Sequence, residues 1–285
     1  MPVWSKFAAV AFVAMTAATF ALPASAAKPK AAMRAAVADP ALTAALADSH
    51  RDKDRARDVY RHPAEMMKFM QIKPGMTVVE YYPGGGWFTR VLVPYLGANG
   101  QYIVLIPPVT PADSFGEAQT TTPASFAEKA ATWTGPGGAP VSAIVSGSKL
   151  ADRKGTVDRV VIFRGLHNMW SGNSLYTDLK AARLLLKPNG LLGIEQHRAK
   201  PGAPADYTDG NMGYMREKDA IALLDTMGFQ LVGKSEVNAN PKDSANWPDG
   251  VWTLPPALTL KDKDRAKYEA IGESDRMTLI FRKRP

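Results

Sequence analysis

Thr77-Val78-Val79-Glu80-Tyr81-Tyr82-Pro83-Gly84-Gly85-Gly86-Trp87-Phe88 decides the fold. Its first half is β-branched and aromatic, and Lys73-Pro74-Gly75 before it is a turn, so Thr77 to Tyr82 is predicted to be a strand. Beyond the glycines, Trp87, Val91 and Tyr95 recur with Phe88, Leu92 and Leu96 at three- and four-residue spacing, which predicts a helix packed on that strand. Pro94 removes a hydrogen bond inside this helix, so a bend or an early end is expected there. Three successive glycines permit positive φ and close backbone approach, and the helix start offers free N–H groups to a polar ligand. A tight turn needed only for packing satisfies the same pattern. A nicotinamide fingerprint requires Gly or Ala where Thr89 stands, and the Gly-Lys-Ser/Thr of a phosphate loop is absent.

Working upstream, Asp39-Pro40 and His62-Pro63 each offer a cap followed by proline at a first helical position, so short helices precede the strand. Met66, Met67 and Met70 then read as packing residues. His50 and His62 read as surface residues at helix starts. Working downstream, Gln101 to Ile106, Ser142 to Val145, Val157 to Phe163, Leu191 to Gln196, Phe229 to Val237 and Met277 to Arg282 are further strands, mostly separated by helices. The alternation predicts an α/β, Rossmann-like, seven-stranded, mostly parallel sheet with ligands at the carboxyl ends of its strands. The last two strands suit an antiparallel edge pair. The stretch from Pro107 to Pro140, rich in Pro, Thr, Gly and Ala, is expected to pass over the ligand-side edge with a short helix near Ser125 to Ala131.

Composition narrows the function classes. The 285 residues contain no cysteine, which excludes disulfides, iron–sulfur clusters, cysteine zinc sites and thiol nucleophiles. The formal charge is +8, yet basic residues alternate with acids in Arg51 to Asp58 and Lys261 to Lys267, the pattern of solvated helix faces. No nucleic-acid partner is expected. Residues 1–26 carry one charge, Lys6, an apolar run from Phe7 to Leu22 and the small-residue ending Pro23-Ala24-Ser25-Ala26. This is the pattern of a secretory signal peptide cleaved after Ala26, too short an apolar run to be a membrane anchor. Residues 27–38 then form a flexible leader and residues 39–285 a single domain, with the mature protein expected in a bacterial periplasm and no stable membrane insertion after cleavage.

Strand and glycine turn, Val157-Asp158-Arg159-Val160-Val161, Leu184 to Gly190 with Leu191-Leu192-Gly193-Ile194-Glu195, and the close Phe229 to Val232 and Met277 to Phe281 follow one another in an order that resembles the class I S-adenosylmethionine-dependent methyltransferases. The likeness runs from about Asp54 to the C-terminus. Tyr82-Pro83-Gly84-Gly85-Gly86-Trp87, Gly190-Leu191-Leu192-Gly193 with His197, and Gly272-Glu273-Ser274-Asp275-Arg276-Met277 are similar, more closely, to a subgroup of exported bacterial predicted methyltransferases. The resemblance implies S-adenosyl-L-methionine as cofactor, held by Glu80, Tyr82, Gly84, Gly85 and Gly86, and methyl transfer to a small-molecule acceptor. Tyr82 replaces the first glycine of the family's acid-x-Gly-x-Gly-x-Gly motif. The second strand ends Leu105-Ile106-Pro107-Pro108 where the family places a ribose-binding acid, and Ser148 aligns with a further acid near adenine. A non-catalytic periplasmic binding protein that keeps this fold with an altered pocket is the competing reading.

The remaining candidates close strands four and five. Arg164-Gly165-Leu166-His167-Asn168-Met169-Trp170 combines a titratable ring, an amide and a large aromatic, suited to a small polar or cationic ligand. His167 is the candidate base and Asn168 an orienting residue, with Trp170 a substrate-binding residue; the other reading of His167 is a strand-end cap. Glu195 and His197 share one face of strand five, as substrate-binding acid and base or as a hydrogen-bonded pair that fixes the next loop. No metal-ligand spacing is present, so no metal is expected. Asn246-Trp247-Pro248-Asp249 and Trp252 are a lid over the site or edge packing.

Overall fold

The protein is described by a computed structural model covering residues 39–107 and 123–285. The expected signal peptide and leader, and residues 108–122 of the Pro/Thr-rich stretch, lie outside the described residues.

Strands form where apolar runs can be buried on both faces. They are β1 (Thr77–Tyr81), β2 (Gln101–Ile106), β3 (Val141–Val145), β4 (Val157–Phe163), β5 (Leu186–Ala199), β6 (Met215–Arg216), β7 (Phe229–Ser235) and β8 (Arg276–Lys283). Their order is β3-β2-β1-β4-β5-β8-β7, with two-residue β6 alongside the end of β5. All pairs along the first five strands are parallel, and β8 runs antiparallel to both β5 and β7. The mostly parallel sheet and the antiparallel C-terminal strand are as the sequence predicts. The last two strands form the expected antiparallel edge pair, with β8 one strand in and β7 at the edge. The reason lies in burial, since β8 is buried from Arg276 to Phe281 whereas β7 alternates buried or half-buried with exposed residues, as a strand with an open side does.

The helices are α1 (Pro40–Ala47), α2 (Asp58–Arg61), α3 (Pro63–Phe69), α4 (Thr89–Leu96), α5 (Pro123–Ala131), α6 (Leu166–Ser171), α7 (Leu175–Leu185), α8 (Glu217–Thr226) and α9 (Arg265–Ile271). Asp39 caps α1 through its side chain, accepting from the N–H groups of Ala41 and Leu42 ahead of Pro40 at the first turn. His62 makes no such cap; it sits in the left-handed region at φ 43° with its ring beside Asn238. Helix α4 ends at Leu96, two residues after Pro94, with Gly97 as its cap.

Strand alternation divides the core. Val79, Tyr81, Ile103, Leu105, Val160 and Ile162 pack on one face against α6, α7 and α8. Val78, Tyr102, Val104, Ile106, Val161 and Phe163 pack on the other with Met66, Met67 and Met70 of α3 and its cap, and with α4. The methionines are fully buried packing residues. The strand order reverses between β1 and β4, the point at which an open α/β sheet leaves a crevice outside its carboxyl ends.

Candidate active site

Two cavities open at that crevice. The first, of about 300 Å³, is lined by Glu80 at the end of β1, Tyr82 to Gly85 in the glycine turn, Trp87, Phe88, Arg90, Asp54, Arg57, Arg61, and Phe163, Arg164 and Asn168 after β4. The second, of about 260 Å³, is lined by Arg61, Arg164, His167, Asn168, His197, Ser274, Trp252 and Pro255 to Ala257 among others. Arg61, Arg164 and Asn168 belong to both walls.

Around the glycine turn, Gly84 takes φ +57° and Gly86 φ +73°, so the turn uses conformations that glycine alone adopts freely. Among the described residues, no atom lies within 4 Å of the position a Cβ would take at Gly84 or Gly85. The N–H groups of Gly84 and Gly85 have no acceptor among the described residues, while that of Gly86 donates to Pro83 O at 3.0 Å. Gly86 is closed off: a Cβ there would fall 2.2 Å from Trp133, whose ring lies against its backbone. The open part of the turn is thus Gly84 and Gly85, and Gly86 is a packing residue. Trp87, expected as a simple helix-face residue, carries the guanidinium groups of Arg51 and Arg61 near its ring at 5.2 and 4.8 Å.

Glu80 lines the first cavity but is 2% exposed. Being on the α4 side of β1, it meets Tyr102, whose hydroxyl donates to its Oε2 at 2.6 Å, and Thr89, at 3.4 Å. Burial outweighs these hydrogen bonds and pushes its pKa up to about 7. At the end of β2, Ile106 is buried, and no carboxylate stands there among the described residues.

His167 opens α6 and is 4% exposed. Gln196 fixes its ring: the Gln196 amide donates through Nε2 to Gly213 O at 2.7 Å, which turns Oε1 toward the His167 Nδ1 at 3.3 Å and backbone N–H at 3.4 Å. Since Oε1 only accepts, Nδ1 carries the proton and Nε2 keeps its lone pair. Burial lowers the His167 pKa to about 4, so the ring is neutral near pH 7. His197, 5.5 Å away centroid to centroid, is held at Nδ1 by Ser274 Oγ at 2.6 Å and is likewise pushed down by burial and by His167. Trp252 stands edge-on to His167 at 6.0 Å.

Two expected substrate contacts lie elsewhere. Trp170 is 45% exposed and lines neither cavity, because α6 is a helix and turns residue 170 roughly 200° from residue 168. Glu195 is fully buried and also lines neither; it faces Arg276 at 3.1 Å and Arg164 at 4.0 Å as their counter-ion. The aromatic segment near residue 250 divides: Trp252 lines the second cavity, whereas Trp247 packs on Tyr268 and donates to Asp243.

The residues that sequence reasoning overlooked are basic. Arg51 to Asp58 is no solvated face: Arg51 is fully buried, Asp54 pairs with Arg90 at 2.5 Å, and Arg57 reaches Glu273 at 2.7 Å. Lys261 to Lys267 is exposed as expected. The only signal for the buried cluster was the Gly272 to Met277 run, which delivers Glu273 to Arg57 and Arg61, Ser274 to His197, and Arg276 to Glu195.

No family model matches the chain. No curated protein matches it either. Solved structures that are similar include a S-adenosylmethionine-dependent methyltransferase from Aquifex aeolicus, 19% identical over 65% of this chain and 88% of that one, TM-score 0.48. Others are the 1,6-didemethyltoxoflavin-N1-methyltransferase of Burkholderia thailandensis with bound S-adenosylhomocysteine, 15% identical over 87% and 92%, TM-score 0.45, and the arsenic(III) S-adenosylmethionine methyltransferase of Chlamydomonas reinhardtii, 16% identical over 87% and 74%, TM-score 0.44. All three are named as methyltransferases.

Proposed function

We propose that the chain transfers a methyl group from S-adenosyl-L-methionine to a small-molecule acceptor. The observation that carries this reading is the glycine turn: at the β1–β4 switch point, Gly84 and Gly85 present unpartnered N–H groups and open space to a cavity. The residues fit the cofactor at this turn, through Tyr82, Gly84, Gly85 and Glu80, and lack the acid that would hold its ribose at the end of β2.

When bound, the cofactor supplies an activated methyl carbon; the C–S electron pair stays on sulfur while a lone pair of the acceptor forms the new bond. The chain's part is positional. Asn168 faces both cavities and is placed to orient an acceptor between them. His167, with Nδ1 committed to Gln196, offers Nε2 to hold a proton released by the acceptor. Trp252, Pro255 and Pro256 give the acceptor side an apolar wall. The chemistry is that of residues that orient, with the reactivity carried by the cofactor.

Export is part of the proposal: the apolar segment from Phe7 to Leu22 and the small-residue ending at Ala26 support a cleaved signal peptide and a periplasmic mature protein. No helix among the described residues is long and apolar enough to cross a membrane.

The experiment is calorimetry with S-adenosylhomocysteine on the mature chain and on Gly85→Val. Gly85 has ordinary φ and open space around it, so valine there fills the cavity without straining the backbone. Binding by the wild type that disappears in a Gly85→Val protein of unchanged Tm supports the reading. No heat at millimolar ligand overturns it.

A further inference from the structure

At the wall between the two cavities, four guanidinium groups meet two carboxylates. Arg57, Arg61 and Arg276 contact Glu273, Arg276 also contacts Glu195, and Arg164 stands 4.0 Å from Glu195. Among the described residues this largely buried cluster carries two excess positive charges. Arg61 and Arg164 line both cavities, Arg57 the first and Glu273 the second. Arg61, 4% exposed, donates through Nε to both Glu273 oxygens, and its two Nη groups have no acceptor among the described residues. Arg164 makes no side-chain hydrogen bond among the described residues: its buried Nη1 stands 4.0 Å from Glu195, and its backbone N–H donates to Glu195 O at 2.6 Å. A buried cluster with excess positive charge is unfavourable unless an anion joins it, and the planar guanidinium donor fork matches a carboxylate or phosphate.

We infer that Arg61 and Arg164 anchor a carboxylate or phosphate group of the methyl acceptor, whose body lies in the cavity formed by His167, His197, Trp252, Pro255 and Pro256. The anion site stands on the geometry of the arginines; its assignment to the acceptor rests on the methyl-transfer reading. Two features favour the acceptor. The second cavity joins the arginine edge to an apolar wall of Val251, Trp252 and Pro255 to Ala257, which suits a small amphipathic anion. A sulfonium in the neighbouring cavity would be repelled by the two excess positive charges, and an acceptor anion between them removes that repulsion.

The probe is inorganic phosphate, titrated at constant ionic strength against chloride, with and without saturating S-adenosylhomocysteine, by calorimetry and by Tm. Phosphate is expected to bind and to raise Tm beyond chloride. Its Kd should rise at least tenfold in Arg164→Gln and recover in part in Arg164→Lys. Asn168→Asp, which keeps every arginine and adds a negative charge to both walls, should weaken phosphate by a similar factor even if Arg164→Gln fails to fold. Undiminished phosphate binding in the presence of S-adenosylhomocysteine supports the acceptor assignment. Competition between the two overturns it, since the arginines would then hold the cofactor's own carboxylate. Phosphate binding without any S-adenosylhomocysteine binding upholds the anion site and overturns its assignment to a methyl acceptor. A phosphate response no different from chloride overturns the site itself.

Discussion

Arg61 and Glu273 are 212 residues apart in the chain and 3.1 Å apart in space, and both are buried. This pair ties the short N-terminal helices to the segment before β8; Arg61 lines both cavities and Glu273 the second. Glu273 also receives Arg57 and Arg276, and the four surrounding arginines hold its pKa down to about 2 against burial, which raises it. Removing one partner of a buried ion pair leaves the other charges uncompensated. Glu273→Gln is therefore expected to destabilise the protein by about 3–5 kcal/mol in urea unfolding. A loss below about 1 kcal/mol would mean that the arginines are solvated and that the cluster does not organise the site.

Gly86 and Trp133 give a second, local test. A methyl group at Gly86 would strike the indole face and would also have to adopt φ +73°. Gly86→Ala should cost about 1–3 kcal/mol, of which the backbone share persists when Trp133 is replaced by Ala and the steric share does not. A double-mutant cycle with no coupling between the two positions would show that Trp133 does not rest on the turn in solution.

The sheet was legible because β1, β2, β4 and β5 are buried on both faces and so read as runs of Val, Ile and Leu between turn residues. Glu80 and the glycines stood out against that background. The arginine cluster did not, because alternating charges look alike whether their partners are neighbours or lie 216 residues away, as with Arg57 and Glu273. Trp133 closes Gly86 from a segment with no periodic pattern in the sequence. For Trp170 the error was one of local structure: read as a loop, residues 164–170 all seem available to a ligand, whereas helix α6 turns His167 and Asn168 inward and Trp170 out.

Export has its own measurement. Mass analysis of the protein recovered from a periplasmic extract should give a chain beginning at Ala27. An intact Met1 on soluble or membrane material would reject cleavage after Ala26.

The pH dependence of stability follows from two buried groups with opposite signs. His167 falls from 6.5 to about 4 on folding, so its contribution is complete above pH 6.5 and is lost as pH drops toward 4. Glu80 rises from 4.5 to about 7, so its contribution is complete below pH 4.5 and is lost as pH climbs through 7. Each shift corresponds to about 3 kcal/mol, and the two windows nearly coincide, so the wild type should show a shallow profile between pH 4.5 and 6.5 from this pair. Glu80→Gln keeps an acceptor for Tyr102 and removes one of the two opposing slopes. In that variant stability should fall by about 2–3 kcal/mol from pH 7 to pH 4.5 relative to the wild type, followed by urea unfolding at each pH. Parallel profiles for variant and wild type would mean that the Glu80 carboxyl is hydrated and titrates as an ordinary glutamate, open to the cavity and to whatever occupies it.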